Sequence, residues 1–216
     1  MHLKRNKVPK AWPIPRKGST FIAIASHEKA KSIPLLVVLR DILKIAKTRK
    51  EIKHFVFNGD VKINNKVRRS ELFPVQVFDI VNLEKTSKNY RMEIVNKKFA
   101  LKEISGKEKD EKIVKIIGKR TLGKDRVQMN LQDGQNFLTK EKFKLGDSAI
   151  INTKENKIVK ILEIKSGAKV EIISGKHAGE MGVVKEIIQL KRKKSYKIKL
   201  EGKEVEVPFK TLLVVG

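Results

Sequence analysis

Apolar positions change their rhythm along this chain. Between residues 35 and 56 they recur every third or fourth residue, and beyond about residue 88 every second one. The first spacing predicts helices and the second strands, because a helix repeats a face about every 3.6 residues and a strand every two. Leu35, Leu39, Ile42, Leu43 and Ala46 would line one face of a helix, with Pro34 in its first turn. Thr48 and Glu51 are spaced as a capping box for a second helix, which turns Ile52, Phe55 and Val56 inward and ends at Gly59. Alternation around Asn64-Asn65 then predicts a hairpin, and a strand near 78–83 closes this group.

Period-two segments follow at 90–95, 99–104, 112–117, 126–131, 148–152 and 158–164, separated by turn signals such as Asn96-Lys97-Lys98, Gly106-Lys107, Gly123-Lys124 and Asp133-Gly134. Many short strands at close spacing predict a small closed or sandwiched β domain. A last set, at 169–174, 182–190, 195–200, 203–208 and 212–215, predicts a five-stranded SH3-like barrel. Residues 1–31 fit neither rhythm, and Pro9, Pro13 and Pro15 exclude a continuous helix there. The expected class is α+β, mostly β. It divides into a basic extended arm (1–31), a helix-hairpin domain (32–87), a central β-barrel-like domain (88–164) and the final barrel (165–216).

Composition supports several small modules. Apolar residues make up 40% of the chain, enough for cores, but aromatics only 6%. Charge changes the picture more. Fifty Lys and Arg against 24 Asp and Glu leave a formal +26, with a pI near 10.2. Such an excess destabilises a compact state by self-repulsion unless a polyanion accompanies it. Nucleic acid is the expected polyanion. A membrane surface would call for a basic amphipathic helix, a lipidation signal or a long apolar span, and the sequence offers none, so no membrane partner is expected. The chain has no cysteine, and its N-terminus shows no apolar stretch followed by a small-residue cleavage site, which points to the cytosol.

The cations fall into groups. Lys4, Arg5, Lys7, Lys10, Arg16 and Lys17 precede the first acid, on an arm expected to gain order only against a partner. Trp12 within it could stack on a base or pack against its own domain. Arg40, Lys44, Lys47, Arg49, Lys50 and Lys53 occupy helix faces that the apolar residues leave free, and Lys62, Lys66, Arg68 and Arg69 follow on the hairpin. The second helix begins beside Arg49 and Lys50, where unpaired N–H groups and the positive dipole end suit a phosphate. Lys119 and Arg120 lie in a basic turn, and Lys191, Arg192, Lys193 and Lys194 form a phosphate-facing hairpin tip.

Catalytic readings fail on chemistry. Residues 118–125 nearly spell a phosphate-binding loop, but Asp125 stands where a Ser or Thr hydroxyl should meet magnesium, and 126–131 reads as strand where a helix must begin. His2, His27, His54 and His177 have no ligand spacing, and without cysteine no metal site is implied. Asp41, Glu51 and Asp60 sit among cations and read as counter-charges or caps. No enzyme, cofactor or small-molecule substrate is expected.

Residues 32–83 resemble the small helix-hairpin RNA-binding domain shared by ribosomal proteins, pseudouridine synthases and tyrosyl-tRNA synthetases, through Thr48-Arg49-Lys50-Glu51, residues 59–64 and Phe78-Asp79-Ile80-Val81. That resemblance implies that Arg49, Lys62 and their neighbours face RNA. Residues 167–184 resemble the KOW motif, with Gly175, Gly179 and Gly182 allowing positive φ and close backbone approach, and Lys176 and His177 presented outward. The order of arm, helix-hairpin, β domain and KOW barrel resembles the family of the fourth small-subunit ribosomal protein of archaea and eukaryotes, across essentially the whole chain. Pro9-Lys10-Ala11-Trp12, residues 35–43 and Gly118-Lys119-Arg120 fit it. A chain ending at Gly216, just after the barrel, fits an archaeal member. The resemblance implies a structural role in the cytoplasmic ribosome, as a monomer bound to small-subunit rRNA beside neighbouring ribosomal proteins. A free RNA-binding regulator of transcription or translation, using the KOW barrel, remains the alternative.

Overall fold

Strands far outweigh helices in the chain, and the helices are few and short. The computed structural model describes residues 2–123, 126–190, 193–200 and 202–216, without the side chains of 107, 190, 193 and 194. It divides into two units, Met1–Asp110 and Glu111–Gly216.

In the first unit β1 (His2–Lys4) pairs antiparallel with β2 (Phe21–Ala23), and β3 (Ile33–Pro34) leads into a one-turn helix α1 (Leu35–Val37). The run Leu35-Leu36-Val37-Val38-Leu39 is apolar on every side and buried all round, so it does not present the single face that its spacing predicts. The expected long helix is instead one α turn followed by a wider π turn at Val38–Ile42, and Lys44 leaves it at φ 54°. Helix α2 (Arg49–Phe57) has the capping box: Glu51 N donates to Thr48 Oγ1 at 3.3 Å, and the Glu51 carboxylate accepts from Thr48 N at 3.4 Å. Hydrogen bonds to the Glu51 carboxylate, from the Thr48 side chain foremost and from the backbone N–H groups of Thr48 and Lys47, hold it below its ordinary pKa.

After α2, β4 (Val61–Ile63) and β5 (Lys66–Val67) meet at Asn64-Asn65, both with positive φ, as a two-residue turn requires. Strand β6 (Pro74–Val75) pairs with β3. Strands β7 (Ile80–Leu83), β8 (Lys88–Val95) and β9 (Lys98–Ile104) extend the hairpin into one sheet, ordered β5-β4-β7-β8-β9. The sheet therefore runs across the boundary expected at 87/88, because Ile80–Leu83 pairs directly with 88–91.

The arm departs from expectation. It is folded on its own unit: Trp12 is only 4% exposed, Ile22, Ile24 and Ala25 are buried, and Phe99 N donates to Ala11 O at 2.8 Å. Five apolar side chains scattered without rhythm, Leu3, Trp12, Ile14, Ile22 and Ile24, supply the burial that the proline and lysine content conceals.

The second unit holds two five-stranded antiparallel sheets. Strands β10 (Glu111–Thr121), β11 (Val127–Leu131), β12 (Asn136–Thr139), β13 (Ser148–Asn152) and β14 (Lys157–Leu162) form the first, ordered β12-β11-β10-β13-β14. Long β10 pairs with β13 through 111–115 and with β11 from 116 onward, shifting register between Ile116 and Gly118. Gly118–Thr121 is thus strand, not a phosphate loop; Lys124 and Asp125 of that decoy lie outside the described residues. The second sheet, ordered β18-β17-β16-β15-β19, comprises β15 (Lys169–Ile172), β16 (Met181–Leu190), β17 (Lys193–Leu200), β18 (Lys203–Pro208) and β19 (Leu212–Val214), around Val170, Val184, Tyr196, Ile198 and Leu212. Gly182 is required there, since a Cβ would sit 2.5 Å from Ile198 Cγ2 and 2.8 Å from Lys199 O.

Two lysines of β10 point inward. Lys112 and Asp133 form a buried ion pair at 2.7 Å, and Lys115 Nζ donates to Phe209 O and, at 2.8 Å, to Leu212 O. The Phe209 ring lies 4.1 Å from the Lys115 ammonium. Charges this buried persist only with such partners.

Candidate nucleic-acid interface

Around α2 and the hairpin, Lys44, Lys47, Arg49, Lys50, Lys53, Lys66 and Arg69 are all exposed. Several cations of this corner, however, already have partners. Arg49 Nε donates to Glu71 Oε1 at 2.9 Å and a second guanidinium nitrogen reaches the same oxygen. Arg40 makes two bonds to Asp41, at 3.0 and 2.9 Å, and the hydrogen bond raises its pKa further. Lys62 pairs with Glu84, and Arg68 is half-buried with its guanidinium 4.3 Å from the Phe73 ring centre. The acids read as counter-charges or caps behave so: Asp41 holds Arg40, Glu51 caps α2, and Asp60 meets Lys85 at 2.7 Å.

A second basic surface lies at the N-terminus. Here the chain encloses a groove of about 830 Å³, lined by Lys4, Arg5, Lys10, Arg16 and Lys98 and, among the described residues, by no acidic one. Val8, Pro9, Ile14 and Pro15 give it apolar walls, while Asn6, Ser19 and Thr20 add neutral hydrogen-bonding groups. Arg5 builds the groove: its guanidinium donates to Ser19 O and Pro15 O, both at 2.6 Å, and to Ser19 Oγ at 3.0 Å. That fork ties the turn at 15–19 back to β1. Lys4, Lys10 and Arg16 remain exposed, as do Lys7 and Lys17 outside the groove lining.

Lys98 is the cation that the sequence does not reveal. It opens β9, far along the chain from the arm, and comes to the groove because Phe99 N hydrogen-bonds Ala11 O. Trp12 was open to stacking or packing; buried as it is, it forms part of the wall.

In the second unit Lys119 and Arg120 are both exposed, and Lys119 Nζ lies 3.4 Å from Phe143 O and 4.9 Å from that ring's centre. The loop before β16 presents Lys176 to solvent. His177, expected outward, is instead half-buried, with Nδ1 3.0 Å from the Glu180 carboxylate three residues on. Lys191 and Arg192 lie outside the described residues, and nothing is assigned to the side chains of Lys193 and Lys194. Among the described residues there is no group of His, Asp and Glu able to hold a metal, and no helix long and apolar enough to cross a membrane.

Comparison with known proteins gives consistent matches. The model of Ribosomal family S4e matches residues 86–158, and that of the KOW motif residues 166–201. Small ribosomal subunit protein eS4 of Methanosphaera stadtmanae is 36% identical over 207 residues, 94% of this chain and 86% of that protein. The eS4 protein of Methanocella arvoryzae is 37% identical over 190 residues, 86% of this chain and 80% of its own length. The crystal structure of 30S ribosomal protein S4e from Thermoplasma acidophilum shares the fold, with a TM-score of 0.77 and 24% identity, covering 87% of this chain and 96% of that one.

Proposed function

The chain belongs to the S4e family of ribosomal proteins, and from that premise we propose how it acts: as a structural constituent of the small ribosomal subunit that binds and stabilises its rRNA by neutralising phosphates at several separate surfaces. Its role is structural and not enzymatic, in support of translation. The observation that carries the phosphate reading is the excess of +26 together with the N-terminal groove, whose described lining is cationic and free of acid. Residues 32–87 act as a helix-hairpin RNA-binding domain and 165–216 as a KOW barrel, in one copy per subunit of the cytoplasmic ribosome, beside other ribosomal proteins.

Few exposed aromatics and many lysines suit recognition of backbone form and junction geometry over base edges, which A-form RNA hides in a deep, narrow groove. The test is sedimentation of a cell lysate at moderate salt. The full chain should travel with small subunits. Recovery only with free transcripts or transcription complexes would replace this reading with the regulator built on the KOW barrel.

A further inference from the structure

We propose that the N-terminal groove, and not the helical corner, is the principal grip on RNA, and that it holds the sugar–phosphate backbone of a strand with Lys10 and Lys98 among its cations. The proposal rests on the rRNA-binding role above and goes on to name the site. Like charges gathered without an acid repel one another in the free protein, and a polyanion removes that repulsion. The groove meets this condition, with five cations and no carboxylate among the described residues of its lining, while the corner's Arg40, Arg49 and Lys62 already face Asp41, Glu71 and Glu84. A volume of about 830 Å³ gives room for more than a single phosphate.

Backbone, and not base, is the feature recognised. Base reading by stacking needs an exposed ring, and Trp12, the one aromatic among the described lining residues, is buried in the wall. Arg5 is a positioning residue: with three hydrogen bonds inside the protein it shapes the groove rather than meeting the phosphate. A Cβ at Gly18 would lie 2.9 Å from its guanidinium, so the turn closes on Arg5 as tightly as glycine allows.

The experiment uses the full chain and a fluorescent transcript of small-subunit rRNA. Lys10→Ala/Lys98→Ala should bind about tenfold more weakly, with the slope of log K against log salt reduced by about two. Lys50→Ala/Lys53→Ala, an equal change in charge at the corner, should lose less than about threefold. Arg5→Lys keeps the charge but cannot hold Pro15 and Ser19 together, so it should lower affinity while leaving the salt slope unchanged. Trp12, the single tryptophan, should be shielded from acrylamide quenching before RNA is added, as a preformed groove requires. Equal losses from the two double variants, a freely quenched Trp12, or displacement of the transcript by millimolar inorganic phosphate would overturn the groove. Wild-type protein that fails to bind the transcript would overturn the rRNA reading itself, whereas wild-type binding retained in full by the groove variant would overturn the groove alone.

Discussion

At the helical corner Arg49 faces Glu71, Arg40 faces Asp41 and Lys62 faces Glu84, whereas the N-terminal groove gathers Lys4, Lys10, Arg16 and Lys98 with no acid among the described residues of its walls. Both regions look equally basic in sequence. The difference is that a cation paired within the protein offers a phosphate only what remains after exchange of partners, while an unpaired one offers its full charge and releases condensed counterions. A third arrangement, in the second unit, turns Lys112 and Lys115 wholly inward, where they hold strands together. Position in the fold therefore sorts the lysines and arginines into those that build and those that bind.

The largest effect should come from the inward class. Asp133→Ala removes the carboxylate of a buried ion pair and should cost about 3–5 kcal/mol of stability, read by chemical denaturation, while rRNA affinity measured on folded protein stays level. A variant as stable as wild type would show that Lys112 is not a building cation. Next comes the paired class. Glu71→Gln frees Arg49 and should strengthen rRNA binding by about 0.5–1 kcal/mol, a modest figure because the Arg49 guanidinium is itself largely open to solvent and screened. Unchanged affinity would mean that Arg49 does not face RNA even when released.

Two smaller effects concern the scaffold of the corner. Thr48→Ala removes the cap of α2 and should cost about 1 kcal/mol of stability in thermal melts, with rRNA binding altered little if the groove carries the affinity. A binding loss as large as that of the groove variant would return the principal contact to the corner. The smallest is a pH effect. Glu51 has its folded-state pKa lowered by the Thr48 hydrogen bond, so its contribution is present above the unfolded pKa and fades as pH falls through the depressed folded value. Melts of Glu51→Gln and wild type should therefore converge in acid and separate toward neutrality; a constant gap would count against the carboxylate's role.

Local signals were legible in sequence wherever one residue type has one job. Thr48 with Glu51 announced the α2 cap, and Asn64-Asn65 the positive-φ turn. The period-two segments announced most strands, which is why the mostly β class could be read at all. What escaped depends on partners distant in the chain. The arm's β1 and β2 are three residues each and separated by a long irregular segment, so no alternation marks them; Arg5 and Ala11 fix them through contacts that no spacing encodes. The long helix that Leu35, Leu39, Ile42, Leu43 and Ala46 predict gives way because Leu35-Leu36-Val37-Val38-Leu39 is buried on every side, which single-face spacing does not encode. Arg49 and His177 look available in sequence, and Glu71 and Glu180 engage them. Lys98 reads as part of a turn and reaches the groove only through the hydrogen bond of its neighbour Phe99 to Ala11.

Lysine reactivity in the assembled small subunit tests the central claim most directly, by comparing reductive methylation of the full chain free and in the subunit, residue by residue, with mass spectrometry. The account predicts that Lys10 and Lys98 lose most of their reactivity on assembly, and that Lys50 and Lys53 lose less. Lys10 and Lys98 reacting as fast in the subunit as in the free protein, with Lys50 and Lys53 protected, would contradict it.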